Sequence, residues 1–188
     1  MISRNDAIDI LHKHIKNINL FKHCLAAESA MKGLAKYFKE NENLWGLVGL
    51  LHDGDWEETL ANPKIHTLKM LEWLTKYGEN NKQLLNAISS HNYSHLGINS
   101  PKAKVDWAIY CCDELTGLIV AVALVMPDKK LQSVTVNSVI KKMHSPSFAS
   151  NVNRKQIMMC EEKLNIKLSE FIEIVLKAMQ NISNDLGL

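Results

Sequence analysis

The chain has 188 residues, 46% hydrophobic and 22% charged, a size and balance that provide for one folded unit with a substantial apolar core and exclude extended disorder. Its 22 basic and 20 acidic residues are interspersed and leave a formal charge of +2, which excludes the basic stripe that sequence-independent nucleic-acid binding needs. Cys24, Cys111, Cys112 and Cys160 show no CxxC spacing and two are adjacent, so a disulfide framework or zinc knuckle is not expected, and the four are read as reduced core residues.

Apolar positions recur mostly at intervals of three and four, and no run of period-two alternation bounded by hairpin turns is present, so the expected fold is all-α, a single compact multi-helix bundle. The opening MISRNDAIDILHKHIKN mixes charge with helical apolar spacing and lacks the apolar core and cleavage site of a signal peptide, so a cytoplasmic location is expected. Ser3 and Asp6 form an N-cap signature, with Ala7, Ile10, Leu11, Ile15 and Ile18 along one face of a first helix. A second helix runs from about Leu20 to Phe38, and a third, capped by Asn41 or Asn43, ends near LLHD at Gly54. Asn62-Pro63 marks a turn and helix start, predicting a helix over about 64 to 76, which Gly78 ends. Further helices are predicted at about 81 to 91, 102 to 125, 134 to 143, 152 to 163 and 168 to 184. The run LIVAVALVM, Leu118 to Met126, is too short for a membrane span of about 20 residues and reads as a buried helix, so no membrane partner is expected.

His23, His52-Asp53, His66, His91 and Asp113 lie on different predicted helices or at their ends. Imidazoles and carboxylates suit divalent transition metals, and helical proteins build metal sites by projecting such groups inward from facing helices. Adjacent helical residues point about 100° apart, so His52 and Asp53 converge on one centre only where the helix ends, which Gly54 is expected to bring about.

This ordered set resembles the signature of the HD-domain superfamily, all-α metal-dependent phosphohydrolases. The resemblance extends through HCLAAESAMKGLAKYF, WGLVGLLHD, NPKIH, AISSHN, DELTGLIVAVALV and, as in small stand-alone bacterial HD proteins, SFASNVNRKQIMMCEEKLNI. It implies one HD domain over residues 1–188, with a helical extension from about 130 to 188 packed on it. It further implies that His23, His52, Asp53 and Asp113 hold one metal, and that Asp53 bridges to a second held by His66 and His91. The ions would be Mn, Fe, Co, Ni, Mg or Zn. The implied activity is hydrolysis of a phosphate ester of a small metabolite or nucleotide by metal-activated water. A di-iron HD-type oxygenase and a catalytically silent metal- or nucleotide-binding domain are the alternatives.

Asp53 is expected to be catalytic, and Asp55 and Glu57 are read either as proton donors or water-orienting groups or as a solvated acidic loop. Lys141, Lys142 and Arg154 are candidates for binding substrate phosphate, against the reading of a solvated basic patch. Glu114 is read as orienting a ligand histidine or as part of a surface ion pair. His95, one turn after His91, is the best histidine outside the set, and Trp56 is close enough to His52-Asp53 to line a pocket. The residues do not indicate an oligomeric state. The lysine that some superfamily members place after the HD pair is replaced here by Asp55, Trp56 and Glu57, and the GYP motif of cyclic-dinucleotide phosphodiesterases is missing.

Overall fold

The computed structural model describes residues 1–188 and is helical throughout, with no strand. Asn41 alone caps the third helix, its side chain accepting from the Leu44 amide at 3.0 Å, and Ser3 and Asp6 cap the first reciprocally. The long helices are α1 (Arg4–His14), α2 (Ile18–Phe38), α3 (Glu42–Leu51), α5 (Leu68–Lys76), α6 (Lys82–His91), α8 (Lys104–Leu124), α9 (Val136–Met143), α10 (Arg154–Leu164) and α11 (Leu168–Asn181). Three single-turn helices, α4 (Trp56–Thr59), α7 (Tyr93–Leu96) and α12 (Ser183–Leu186), lie between or after them. One turn is too short for a 3.6-residue period to show, which is why the sequence did not predict them.

Two predicted boundaries move for physical reasons. Ile15 caps the end of α1 in an extended conformation, so the face read from Ala7 to Ile18 belongs to two helices. The helix predicted from about 64 is interrupted: a 3₁₀ turn at Pro63–Ile65 leads to Thr67 at φ 74°, and α5 starts only at Leu68. A threonine in the left-handed region cannot continue a right-handed helix.

One apolar cluster runs through the molecule and takes in residues from Ala7 to Leu186. All four cysteines lie in it, unpaired. Within it α2 packs most extensively on α3, while α10 lies along α8 and α11 along α2. The segment from 130 onward is therefore laid against α2 and α8. Helix α8 is long and apolar enough to cross a membrane, yet most of it, including Leu118, Ile119, Val122 and Ala123, is buried inside this fold. The predicted burial of Leu118 to Met126 stops short of its end, because Leu124 and Val125 are exposed.

The α2–α3 contact depends on a glycine. A Cβ at Gly49 would lie 2.4 Å from the Ala27 carbonyl oxygen, so the two backbones touch there. His23 precedes Ala27 by one turn and His52 follows Gly49 by almost one, and this approach brings the two imidazoles together edge to face, ring centroids 5.1 Å apart.

Candidate metal centre

The second turn of α2, the C-terminal ends of α3 and α6 and the middle of α8 come together at one point. His23 Nε2 lies 3.2 Å from His52 Nε2 and 2.9 Å from Asp113 Oδ1. His52 Nε2 is 3.4 Å from the same Asp113 oxygen. Asp53 turns its two oxygens to opposite sides: Oδ2 faces His23 and His52 at 3.6 and 3.7 Å, and Oδ1 faces His66 and His91 at 3.2 and 3.3 Å. The result is two groups with metal-binding geometry, His23, His52, Asp53 and Asp113 on one side and Asp53, His66 and His91 on the other, sharing Asp53.

The surroundings of the imidazoles fit a cation. A histidine ligand is aimed by the hydrogen bond of its other ring nitrogen. His52 Nδ1–H donates to the Gly49 carbonyl at 2.7 Å. His66 Nδ1–H donates to Asp55 Oδ1 at 2.7 Å. The Thr116 hydroxyl donates to the Asp113 carbonyl at 2.7 Å and so receives the His23 Nδ1–H at 3.3 Å. In the neutral imidazole this leaves the Nε2 lone pair directed at the carboxylates, and His66 Nε2 is buried with no hydrogen-bond partner in the protein. A buried orphan of this kind is costly unless something electropositive meets it.

Charge at the site is unequally distributed. Burial opposes protonation of His23, but its hydrogen bond to Asp113 and the charges of Asp113 and Asp53 outweigh that and raise the imidazole to about 9. His66 is likewise opposed by burial and raised to about 9 through Asp53 and Asp55. In His91 burial prevails and the pKa is lowered. Asp53 and Asp113 are held well below the usual carboxylate range by the histidines around them, against the effect of burial. Burial and the neighbouring Asp113 push the Glu114 carboxyl up to about 7.

A cleft of about 220 Å³ opens over the two groups, with Trp56, Ser94, His95, Glu114 and Gln156 completing its wall. Trp56 stands edge-on to His66, ring centroids 4.9 Å apart. His95 is exposed on the rim. Gln156 of α10 is fixed by donating to the Tyr110 carbonyl at 2.7 Å. The Asn153 amide, at the N-cap of α10, donates to Glu114 Oε2 at 2.9 Å, so the C-terminal helices supply part of the cleft. Glu114 meets neither of its two readings: it forms no ion pair, and its one hydrogen bond is to the Asn153 amide rather than to a histidine of the site.

The acidic residues after His52-Asp53 are placed differently from the proton-donor reading. Asp55 is fully buried, receives His66 Nδ1–H and the backbone amides of Thr67 and Met70, and so positions His66. Glu57 points away, accepting from the amides of Lys16 and Asn17 at 2.9 Å, where it braces the start of α2. Gly54 has no left-handed conformation; a Cβ there would meet Met70 Sδ at 2.6 Å and Leu11 Cδ2 at 2.9 Å, so both side chains pack closely over it.

The basic residues are not brought to the cleft. Lys142 Nζ lies 4.3 Å from the centre of the Phe148 ring. The Arg154 guanidinium donates to the carbonyls of Met143, Ser145, Phe148, Ala149 and Val152, which ties together the loop before α10. Neither they nor Lys141 lines the cleft over the two groups. A guanidinium whose donors are satisfied by carbonyls has little left for a phosphate.

Thr116, Gly49, Thr67 and Gln156 went unnoticed in the sequence. Thr116 stands three residues after Asp113, on the same helical face, and that spacing was a usable signal. Gln156 acts through tertiary packing and has none. Comparison with protein-family models found no match, and neither did comparison with curated proteins or with solved structures.

Proposed function

We propose that the chain is an HD-superfamily phosphohydrolase that holds two divalent ions and hydrolyses a phosphate monoester of a small metabolite. The observation that carries this reading is Asp53, whose two oxygens face two separate sets of histidine nitrogens. His23, His52, Asp53 and Asp113 would hold one ion, and Asp53, His66 and His91 the other. Divalent ions bound there supply Lewis acidity, lowering the pKa of water and offsetting charge on a phosphoryl group.

The chain's own residues orient and enclose. Gly49, Asp55 and Thr116 fix the tautomers of His52, His66 and His23, so no reorganisation of the ligands is needed during reaction. Trp56 closes one side of the cleft and limits the entry of bulk water. In the hydrolysis, a water oxygen bonds to phosphorus as the bond from phosphorus to the ester oxygen breaks, giving inorganic phosphate and an alcohol. The attacking water keeps one proton on the phosphate and releases the other to solvent; the leaving oxygen takes up one from His95, on the rim outside both metal groups, which solvent reprotonates. A cleft of about 220 Å³ lies below the ~300 to 1,000 Å³ typical of drug-sized ligands, which favours a small metabolite over a nucleotide.

The test is phosphate release from a panel of phosphomonoesters, phosphodiesters and nucleotides by the purified chain with Mn²⁺, Co²⁺, Ni²⁺ or Mg²⁺. Turnover that requires metal and is lost in His52→Ala is expected. Absence of turnover on every ester with every metal would overturn the reading, and tightly bound iron with O₂ consumption would instead assign oxygenase chemistry.

A further inference from the structure

We propose that the substrate carries a primary amine beside its phosphate, and that Glu114 is the specificity-determining residue that receives the ammonium. This rests on the phosphohydrolase reading of the same cleft and names its substrate class.

The argument begins with charge. No lysine or arginine lines the cleft, whereas three carboxylates do, those of Asp53, Asp113 and Glu114. Two divalent ions bring four positive charges against these three. A phosphate monoester dianion then leaves an excess of one negative charge in a partly buried site, where like charges repel more strongly than in water. An ammonium on the substrate balances it. With a single ion bound, the cleft favours a cationic substrate further still. A diphosphate or triphosphate would add charge that no side chain here neutralises, and the basic residues Lys142 and Arg154 are occupied elsewhere.

Geometry assigns the role to Glu114. Asp53 and Asp113 are turned toward the histidines, whereas Glu114 forms no ion pair and accepts one hydrogen bond, from the Asn153 amide to Oε2. That bond spans 39 residues of sequence and ties the carboxylate to the start of α10, leaving Oε1 without a partner in the protein. The result is a fixed acceptor in the wall of a cleft whose metal-binding end would take the phosphate. Because the cleft is small, both ends of a two- or three-carbon amino alcohol phosphate fall within it.

The test uses the full chain loaded with Mn²⁺ and compares 2-aminoethyl phosphate with 2-hydroxyethyl phosphate, which differ only in the amine. A charge-assisted hydrogen bond predicts a kcat/KM about ten-fold or more higher for the amino ester, and E114Q should bring the ratio toward one, chiefly by raising KM for the amino ester. E114D, keeping the charge, should retain a ratio above that of E114Q. Equal hydrolysis of the two esters by the wild-type protein would overturn this inference and leave the phosphohydrolase reading standing. Hydrolysis of neither, with no other ester cleaved, would overturn both. The wild-type ratio tests the amine without any variant, and a ratio equal to that of the wild-type protein in both folded E114Q and folded E114D would overturn the role of Glu114.

Discussion

The two halves of the candidate metal centre are built in different ways. His23, His52 and Asp113 project from regular or nearly regular helix, and their separations are set by helix packing, above all the backbone contact at Gly49 and Ala27. His66 stands instead between a 3₁₀ turn and a threonine in the left-handed region, and a buried carboxylate, Asp55, holds it. Helical ligands inherit their precision from the core, whereas a ligand on irregular chain needs its own local support. The second half is therefore where single substitutions separate metal affinity from stability.

Protonation provides the largest expected effect, and it acts on one histidine of each half. His23 and His66 are raised to about 9 in the folded chain, from an ordinary 6.5. A raised histidine contributes stability that is complete below the unfolded pKa and is lost as pH rises through the folded one. The metal-free protein is thus expected to lose on the order of 3 kcal/mol per histidine across this window. Metal ligation requires neutral imidazole, so metal affinity should rise over the same window, with proton release. Thermal melts from pH 7 to 9 should show the melting temperature falling without metal, and calorimetry in buffers of different ionisation enthalpy should show protons released on binding. Burial of Glu114 raises it to about 7, so most of its effect falls below this range. A metal-free melting temperature that rises between pH 7 and 9 would show that the two imidazoles are already neutral.

Asp55→Asn tests the support of the second half alone. The amide keeps the size of the side chain but removes the charge that accepts from His66 Nδ1 and from the amides of Thr67 and Met70. Loss of such an outer partner typically costs ~10- to 100-fold in metal affinity. Titration should show one class of site weakened by that factor and the other, on His23, His52 and Asp113, little changed. Equal weakening of both would mean that the halves are a single coupled unit, and the contrast drawn above would fail.

The same division explains what was legible in the sequence. Long amphipathic helices, the ordered histidines and Asp113 could be read because helical period and helix-end position are local properties of sequence. The assembly of Asp53 with two sets of nitrogens follows from helix ends meeting, which a residue order can indicate but spacing cannot demonstrate. Asp55 and Glu57 look alike as acidic residues after His52-Asp53, yet one is buried under His66 and the other braces α2. Only the path of the chain through Gly54 and Trp56 distinguishes them. Lys141, Lys142 and Arg154 looked available because charge is visible in a sequence, whereas the carbonyls that engage Arg154 are not.

The smallest expected effect concerns the strain in the second half. Thr67 occupies φ 74°, and a β-branched residue in that region costs ~1 to 3 kcal/mol. Glycine there relieves the strain but gives up ~0.5 to 1 kcal/mol of backbone entropy, together with the packing of a buried side chain. These contributions nearly cancel, so Thr67→Gly is expected to stay within about 1 kcal/mol of the parent. Thr116→Gly has no strain to relieve: Thr116 lies in the middle of α8, fully buried and hydrogen-bonded. It loses helix propensity, packing and a hydrogen bond together, so urea denaturation should place its midpoint clearly below that of Thr67→Gly. Equal losses at the two positions would show that the left-handed turn carries no strain, and that His66 is presented by chain as relaxed as the helices holding His23 and His52.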